Sequence, residues 1–336
     1  MTRALREHWP EYLMESACLG IFMVSAGLFT SLLEYPDSPI RYVIPNDFLR
    51  LALNGLAMGL TAVGIIYSPW GARSGAHMNP AVTWTFFRLG KVSTWDALFY
   101  PIFQTLGGIT GVLLVKLVLG HIFTDVPVRY VVTVPGKAGV TVAFFAEMVI
   151  ACCMMLMVLF VTNAQKLARF TGYFGGTLVF LYITFEAPLS GMSINPARTV
   201  ASAAPSGVWT DAWIYFVAPI GGMLLAVELY HGLRRGARIA CAKCNHDMRY
   251  RCIFCGHPGV QPQPITSSNK ISTCRDLSFG IVAKNFLPLC VINLHRFVSS
   301  QRICPRFRNQ PTWATVKSLP HVRRQNSEQT RTTKSL

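Results

Sequence analysis

Apolar residues in this chain run in blocks of about twenty, rather than alternating or recurring on one face against a polar one. Six stretches, 12–33, 48–68, 95–118, 139–162, 170–188 and 210–232, are long and apolar enough for helices that cross a bilayer, a crossing that needs about 20 residues. Two shorter apolar segments, 79–88 and 195–204, fall between the second and third stretches and between the fifth and sixth. Each comes after a turn containing Gly and Ser and is too short to span, so both are expected to be re-entrant half-helices. The pattern predicts an all-α membrane protein with six transmembrane helices and two half-helices.

The chain also repeats itself. Ser74-Gly75-Ala76-His77-Met78-Asn79-Pro80-Ala81 returns as Ser190-Gly191-Met192-Ser193-Ile194-Asn195-Pro196-Ala197. Each copy comes after the second span of a three-span half, the halves covering about 11–118 and 139–234. Three is odd, so the halves take opposite orientations and the half-helices enter from opposite faces. Short interrupted segments at matched positions of an inverted repeat point to a transport site near the midplane.

Composition sharpens this picture. Only 14% of residues are charged against 51% hydrophobic, well under the quarter usual for soluble domains. The net charge of +16 belongs to the end of the chain: residues 239–336 hold 15 Lys/Arg and three acids. That tail shows no stacking platform or reading motif, so no nucleic-acid partner is expected. Residues 1–236 are read as the membrane body, 237–258 as a Cys-rich juxtamembrane segment and 259–336 as a basic, disordered tail. With the N-terminus inside, the inner segments carry ten Lys/Arg and the outer loops five. Both termini are therefore expected to be cytoplasmic, in a multi-pass protein of a plasma or inner membrane.

Asn is a favoured helix N-cap and Pro suits the first helical position, where its missing N–H costs nothing. Two N-termini meeting at the midplane make a positive region. The amides of Asn79 and Asn195 can donate into a narrow lumen, which suits a neutral acceptor and repels a cation. Residues Asn79, Pro80, Ala81, Asn195, Pro196 and Ala197 are thus the candidate pore motifs. A single Asn-Pro-Ala often only caps a helix; two copies at the same point of a three-span repeat are specific.

Residues 1–235 resemble the major intrinsic protein family, the aquaporins and glycerol facilitators. The resemblance rests on both Asn-Pro-Ala boxes, Arg198 after the second, Glu15 and Glu147 in the first span of each half, Gln104 and Pro219. It implies a right-handed bundle with one pore per subunit, a homotetramer, and a passive channel in the bilayer for water or small neutral solutes that excludes ions and protons. Such a channel is expected to need no cofactor for transport and not to be an enzyme. Glu15 and Glu147 are then structural, accepting hydrogen bonds from the loop before each half-helix.

The resemblance also places Arg198 at the outer constriction with Ile183, Met192 and either Met58 or Gly59, of which Met58 is preferred. The His usual in water-selective members is absent, and this filter is more apolar. Against that, Thr199, Ala203 and the Tyr215-Phe216 pair fit the aquaporin pattern rather than the glycerol one. Water is the favoured solute; a facilitator of glycerol, ammonia, carbon dioxide or hydrogen peroxide is the alternative. His77 is read as a loop residue that holds the first half-helix, in preference to a pH gate.

Cys241-x2-Cys244-x7-Cys252-x2-Cys255, with His246 and His257 nearby, has paired CxxC units that suit a tetrahedral zinc ion. Two readings stand: a structural zinc staple, or a juxtamembrane segment with free thiols. Cys18, Cys152 and Cys153 are expected to pack within spans. A secondary transporter using Glu15, Glu147 or Glu186 would need a coupling-ion constellation that the spans lack.

Overall fold

The computed structural model describes residues 1–234 and 239–260. The basic tail expected over 259–336 lies, from residue 261 onward, outside the described residues. Among the described residues the chain is all helical, without strands. The first half comprises α1 (Thr2–Glu34), α2 (Asp47–Tyr67), the short α3 (Pro80–Arg88) and α4 (Thr94–Leu119). The second comprises α5 (Val140–Thr162), α6 (Thr171–Leu181), the short α7 (Pro196–Ser206) and α8 (Ile214–Leu233).

Five of the expected spans are single helices long and apolar enough to cross a membrane. The stretch 170–188 is different: α6 continues through a π turn, Tyr182–Glu186, into the last turn Ala187–Ser190. Thr184 bonds back to the Phe180 carbonyl at 2.7 Å within this segment. A π turn adds a residue to one helical turn and rotates the remainder of the helix, and such turns concentrate at functional sites.

The two halves pack by one rule. α1 lies along α4 and α5 along α8, while α2 pairs with α6 between the halves. Each short helix rests on the last helix of the opposite half, α3 on α8 and α7 on α4. Small residues make the close crossings. A Cβ on Gly107 would stand 1.9 Å from the Ser16 carbonyl oxygen, and one on Gly59 would stand 2.5 Å from that of Gly176. Helices in lipid gain no hydrophobic drive from one another, so such backbone approaches carry their association.

The outer surface fits a bilayer. Apolar side chains cover the outside of the bundle: Leu28, Leu60, Leu106, Leu117 and Phe145 are all exposed. Trp9, Trp70 and Trp95 sit exposed near one set of helix ends, Trp209 and Trp213 near the other, as expected for interfacial aromatic belts.

Candidate functional site: a lumen between two half-helices and a cluster at its mouth

Asn79 and Asn195 cap the two short helices in the same way. The Asn79 Oδ1 accepts from the Ala81 N–H at 2.9 Å; the Asn195 Oδ1 accepts from Ala197 at 3.0 Å and Arg198 at 3.2 Å. Each amide then reaches across to the other half. Asn79 Nδ2 donates to the Ile194 carbonyl and Asn195 Nδ2 to the Met78 carbonyl, both at 2.7 Å. A carboxamide nitrogen has two hydrogens, so one on each remains for the lumen that both residues line.

The loops ahead of these caps are unusual backbone held by buried acids. Gly75, Ala76 and Met78 have positive φ, and so do Gly191, Met192 and Ile194, conformations that cost a non-glycine residue of order 1–3 kcal/mol each. Glu15 offsets that cost by accepting from Ser74 Oγ and His77 N through one oxygen, and from Met78 N and Gln104 Nε2 through the other, at 2.6–3.0 Å. Glu147 accepts from Ser190 Oγ, Ser193 N and Ile194 N at 2.6–3.0 Å. Both oxygens of each acid are thus engaged by groups of the loop and its neighbours. Glu186 is buried but does not line the lumen.

Two supports are not apparent from the sequence motifs. Tyr100 Oη donates to the Ser74 carbonyl at 2.7 Å, and Tyr215 Oη to the Ser190 carbonyl at 2.6 Å. They are matched positions of the repeat, and that match is the one signal that could have found them. Tyr215 therefore does more than fill space in its helix.

A cavity of about 340 Å³ runs past the paired asparagines. Met58, Ile183, Met192 and Arg198 all line it, whereas Gly59 faces Gly176 instead. Arg198 is half-buried and its Nη1 has no protein partner. Asn54, not singled out from the sequence, also lines the cavity; its Nδ2 donates to Thr30 Oγ1 at 3.2 Å while its Oδ1 is unpartnered. The lumen wall is thus largely apolar, with Asn54, Asn79, Asn195 and Arg198 among its polar residues.

The mouth next to the Gly75–Asn79 loop is occupied by the chain itself. Residues 239–260 pack there, within the same compact unit as the helices. The ligand atoms of Cys241, His246, Cys252 and Cys255 lie within 4.8 Å of one another. This corrects the expected set, because Cys244 is elsewhere. Its N–H donates to the Gly75 carbonyl at 3.0 Å, and its side chain packs with Ile66 and Ala76 and lines the cavity. His246 takes the fourth place. The chain turns tightly at Cys252–Gly256, where the Gly256 N–H donates to the Cys252 carbonyl and Gly256 has φ +75°.

Electrostatics favour thiolate at Cys252, while the bond to Cys252 and burial push Cys241 the other way. Cys241 donating to it, with His246 alongside, holds the Cys252 thiol well below its ordinary range. The Cys252 and Cys255 sulfurs raise His246 to about 9. Lys243 is only 2% exposed, and burial pulls its ammonium below the usual lysine range. Its Nζ donates to the Ala72 carbonyl at 2.9 Å beside the sulfurs.

Comparison with known proteins agrees with this geometry. A family model described as Major intrinsic protein matches residues 7–230. The chain is 32% identical to Aquaporin NIP2-3 of Zea mays over 228 residues, 67% of this chain and 73% of that one. It is 31% identical to Aquaporin A of Dictyostelium discoideum over 196 residues, 57% of this chain and 69% of that one. Among solved structures, the aquaglyceroporin from Plasmodium falciparum superposes with a TM-score of 0.55 at 21% identity, covering 67% of this chain and 96% of that one; this likeness concerns the fold.

Proposed function

We propose, from the premise that this chain belongs to the major intrinsic protein family, that the lumen at Asn79 and Asn195 is its solute path and Arg198 its filter. The protein is an integral membrane channel, not an enzyme, and passes water and small neutral solutes passively. The observation that carries the assignment of the path is the reciprocal asparagine pair. Each amide is locked by its bond to the opposite loop, so its second hydrogen is aimed rather than free to rotate. A water oxygen accepts that hydrogen. A cation meets two helix N-termini, each equivalent to roughly half a positive charge, and then the Arg198 guanidinium.

Water is the favoured solute. The alternative, a facilitator of glycerol, ammonia, carbon dioxide or hydrogen peroxide, draws on the apolar wall of Met58, Ile183 and Met192. Both termini face the cytoplasm of a plasma or inner membrane in this reading, and four copies assemble, each with its own pore.

The Cys/His cluster is read as a structural zinc site. Three thiols and an imidazole form a Cys₃His set, a recognised structural combination. Cys241 Sγ and Cys252 Sγ are 3.4 Å apart, and His246 Nε2 and Cys255 Sγ 3.2 Å. These approach the edge of about 3.8 Å of a tetrahedron with Zn–S near 2.3 Å. Such an ion would cross-link residues 241–255 without touching the permeating solute.

Stopped-flow scattering on proteoliposomes, zinc-loaded and chelator-treated, tests the channel. Water or glycerol entry should exceed that of empty vesicles without carrying current. Flux that required a proton or sodium gradient would contradict the reading.

A further inference from the structure

The Cys/His segment is placed where a channel of this design needs to be open. We propose that residues 239–260 form a metal-fastened plug of the cytoplasmic mouth, and that loss of a thiophilic divalent cation from Cys241, His246, Cys252 and Cys255 releases it. The inference rests on the channel reading above.

The segment is bonded to the rim on several sides. Ala240 N donates to Asn163 Oδ1 at 2.8 Å, at the end of α5. On α1, Arg251 Nη2 donates to the Glu7 carbonyl at 2.7 Å and stands 3.8 Å from the buried Glu11 carboxylate. Below the first loop, the Lys243 ammonium reaches the Ala72 carbonyl and the Cys244 N–H the Gly75 carbonyl. A loose tail lying across the surface would not bond to the N-terminal helix, the first loop and the end of α5 together.

Its centre enters the lumen wall. Cys244 lines the same cavity as Asn79, Asn195 and Arg198. Phe254 stacks on His77 with ring centroids 5.3 Å apart and planes 14° from parallel. His77 Nε2 donates to the Ala242 carbonyl at 2.5 Å, while its Nδ1 meets Thr83 Oγ1 of α3 at 3.1 Å. The plug is therefore coupled through one imidazole to the half-helix that builds the pore.

Metal is what keeps such a short segment folded. Residues 239–260 hold no helix, and a piece this small lacks the core to order itself without a cross-link. Structural zinc supplies folding free energy directly, and chelators unfold domains that depend on it. Cys241 and Cys255 bracket both Cys244, which lines the lumen, and Phe254, which stacks on His77, so losing the ion frees the two together.

The test uses the full chain, loaded with one zinc per protomer and reconstituted in liposomes. Osmotic water entry is tracked by stopped-flow scattering before and after a membrane-permeant chelator. We expect slow entry with zinc and a rise of about tenfold on chelation, the response to a shift of ~1.4 kcal/mol in the closed state. In parallel, alkylation of Cys244 by a maleimide should be blocked with zinc and rapid without it. Phe254→Ala, which spares all four ligands, should keep its zinc and still pass water quickly. Equal flux in the zinc-loaded and chelated forms, above that of empty vesicles, would overturn the plug and leave the channel standing. If no form, Phe254→Ala included, moves water or glycerol faster than empty vesicles, the channel reading fails and the plug with it.

Discussion

Replacing Glu147 by Gln removes one charge and exchanges one acceptor for a donor, in a side chain that is fully buried. One Glu147 oxygen accepts from Ser190 Oγ and Ser193 N, the other from Ile194 N. The least harmful amide orientation keeps its oxygen toward Ser190 and Ser193. Its NH₂ then faces the Ile194 N–H, donor against donor. The lost charge-assisted bond accounts for about 1.5–3 kcal/mol and the orphaned buried donor for about 1–3 kcal/mol. A total of ~3–5 kcal/mol is large beside the 5–15 kcal/mol that holds a typical domain together. Reversible unfolding in mixed micelles, titrated with dodecyl sulfate, measures it. The positive-φ residues Met192 and Ile194 should relax, so water permeability should fall as well. Glu15→Gln makes an internal control of the logic: its second oxygen serves two donors, Met78 N and Gln104 Nε2, so it should cost more than Glu147→Gln. A loss under about 1 kcal/mol in either variant, or the reverse order, would refute the claim that these acids hold the loops.

Arg198→Ala should admit larger polar solutes or cations, seen as glycerol entry or conductance above wild type; an unchanged solute profile would mean that the filter lies elsewhere. Gly107→Val should not yield a folded channel in detergent, because its Cβ would stand 1.9 Å from the Ser16 carbonyl oxygen, and monodisperse protein at wild-type yield would count against that crossing. Cys252→Ser should abolish zinc binding as measured by elemental analysis, while Cys244→Ser should keep one zinc per chain, and equal loss in both would restore Cys244 as a ligand. Asn54→Leu should slow water entry by replacing a polar side chain on the lumen wall, and flux matching wild type would assign Asn54 to packing against Thr30.

The membrane body was legible because its signals are long or doubled. Blocks of twenty apolar residues announce spans, and an octapeptide motif that recurs at the same point of two halves announces an inverted repeat. The half-helices begin at Pro80 and Pro196, where the Asn-Pro pairs put them. The π turn at Tyr182–Glu186 was not legible, since no residue there marks an extra member of a helical turn. Asn54 is one polar residue in an apolar span, and only the fold places it on the lumen wall. The ligand set failed for a similar reason. Spacing reports which cysteines a turn can bring together, but Cys244 is claimed by a backbone 169 positions away, at Gly75, and no local pattern carries that information.

The two mouths of the lumen show why an inverted repeat need not give a symmetric channel. Each loop before a half-helix has its own acid, its own tyrosine and the same run of positive φ angles. Each is also joined by a backbone hydrogen bond to a segment outside its repeat unit. On the α7 side the Gly136 N–H donates to the Leu189 carbonyl at 3.0 Å; on the α3 side the Cys244 N–H donates to the Gly75 carbonyl at 3.0 Å. The first strap belongs to the connection between α4 and α5, tied at both ends to membrane helices, and it contributes Val131 and Val132 to the cavity wall. The second comes after α8, holds no helix in residues 239–260, and is positioned by the bonds it makes to the rim. A segment fixed at both ends can shape an entrance but cannot leave it. A segment held by its own rim bonds and folded around four ligand atoms can do both, which is why control is expected at the α3 mouth.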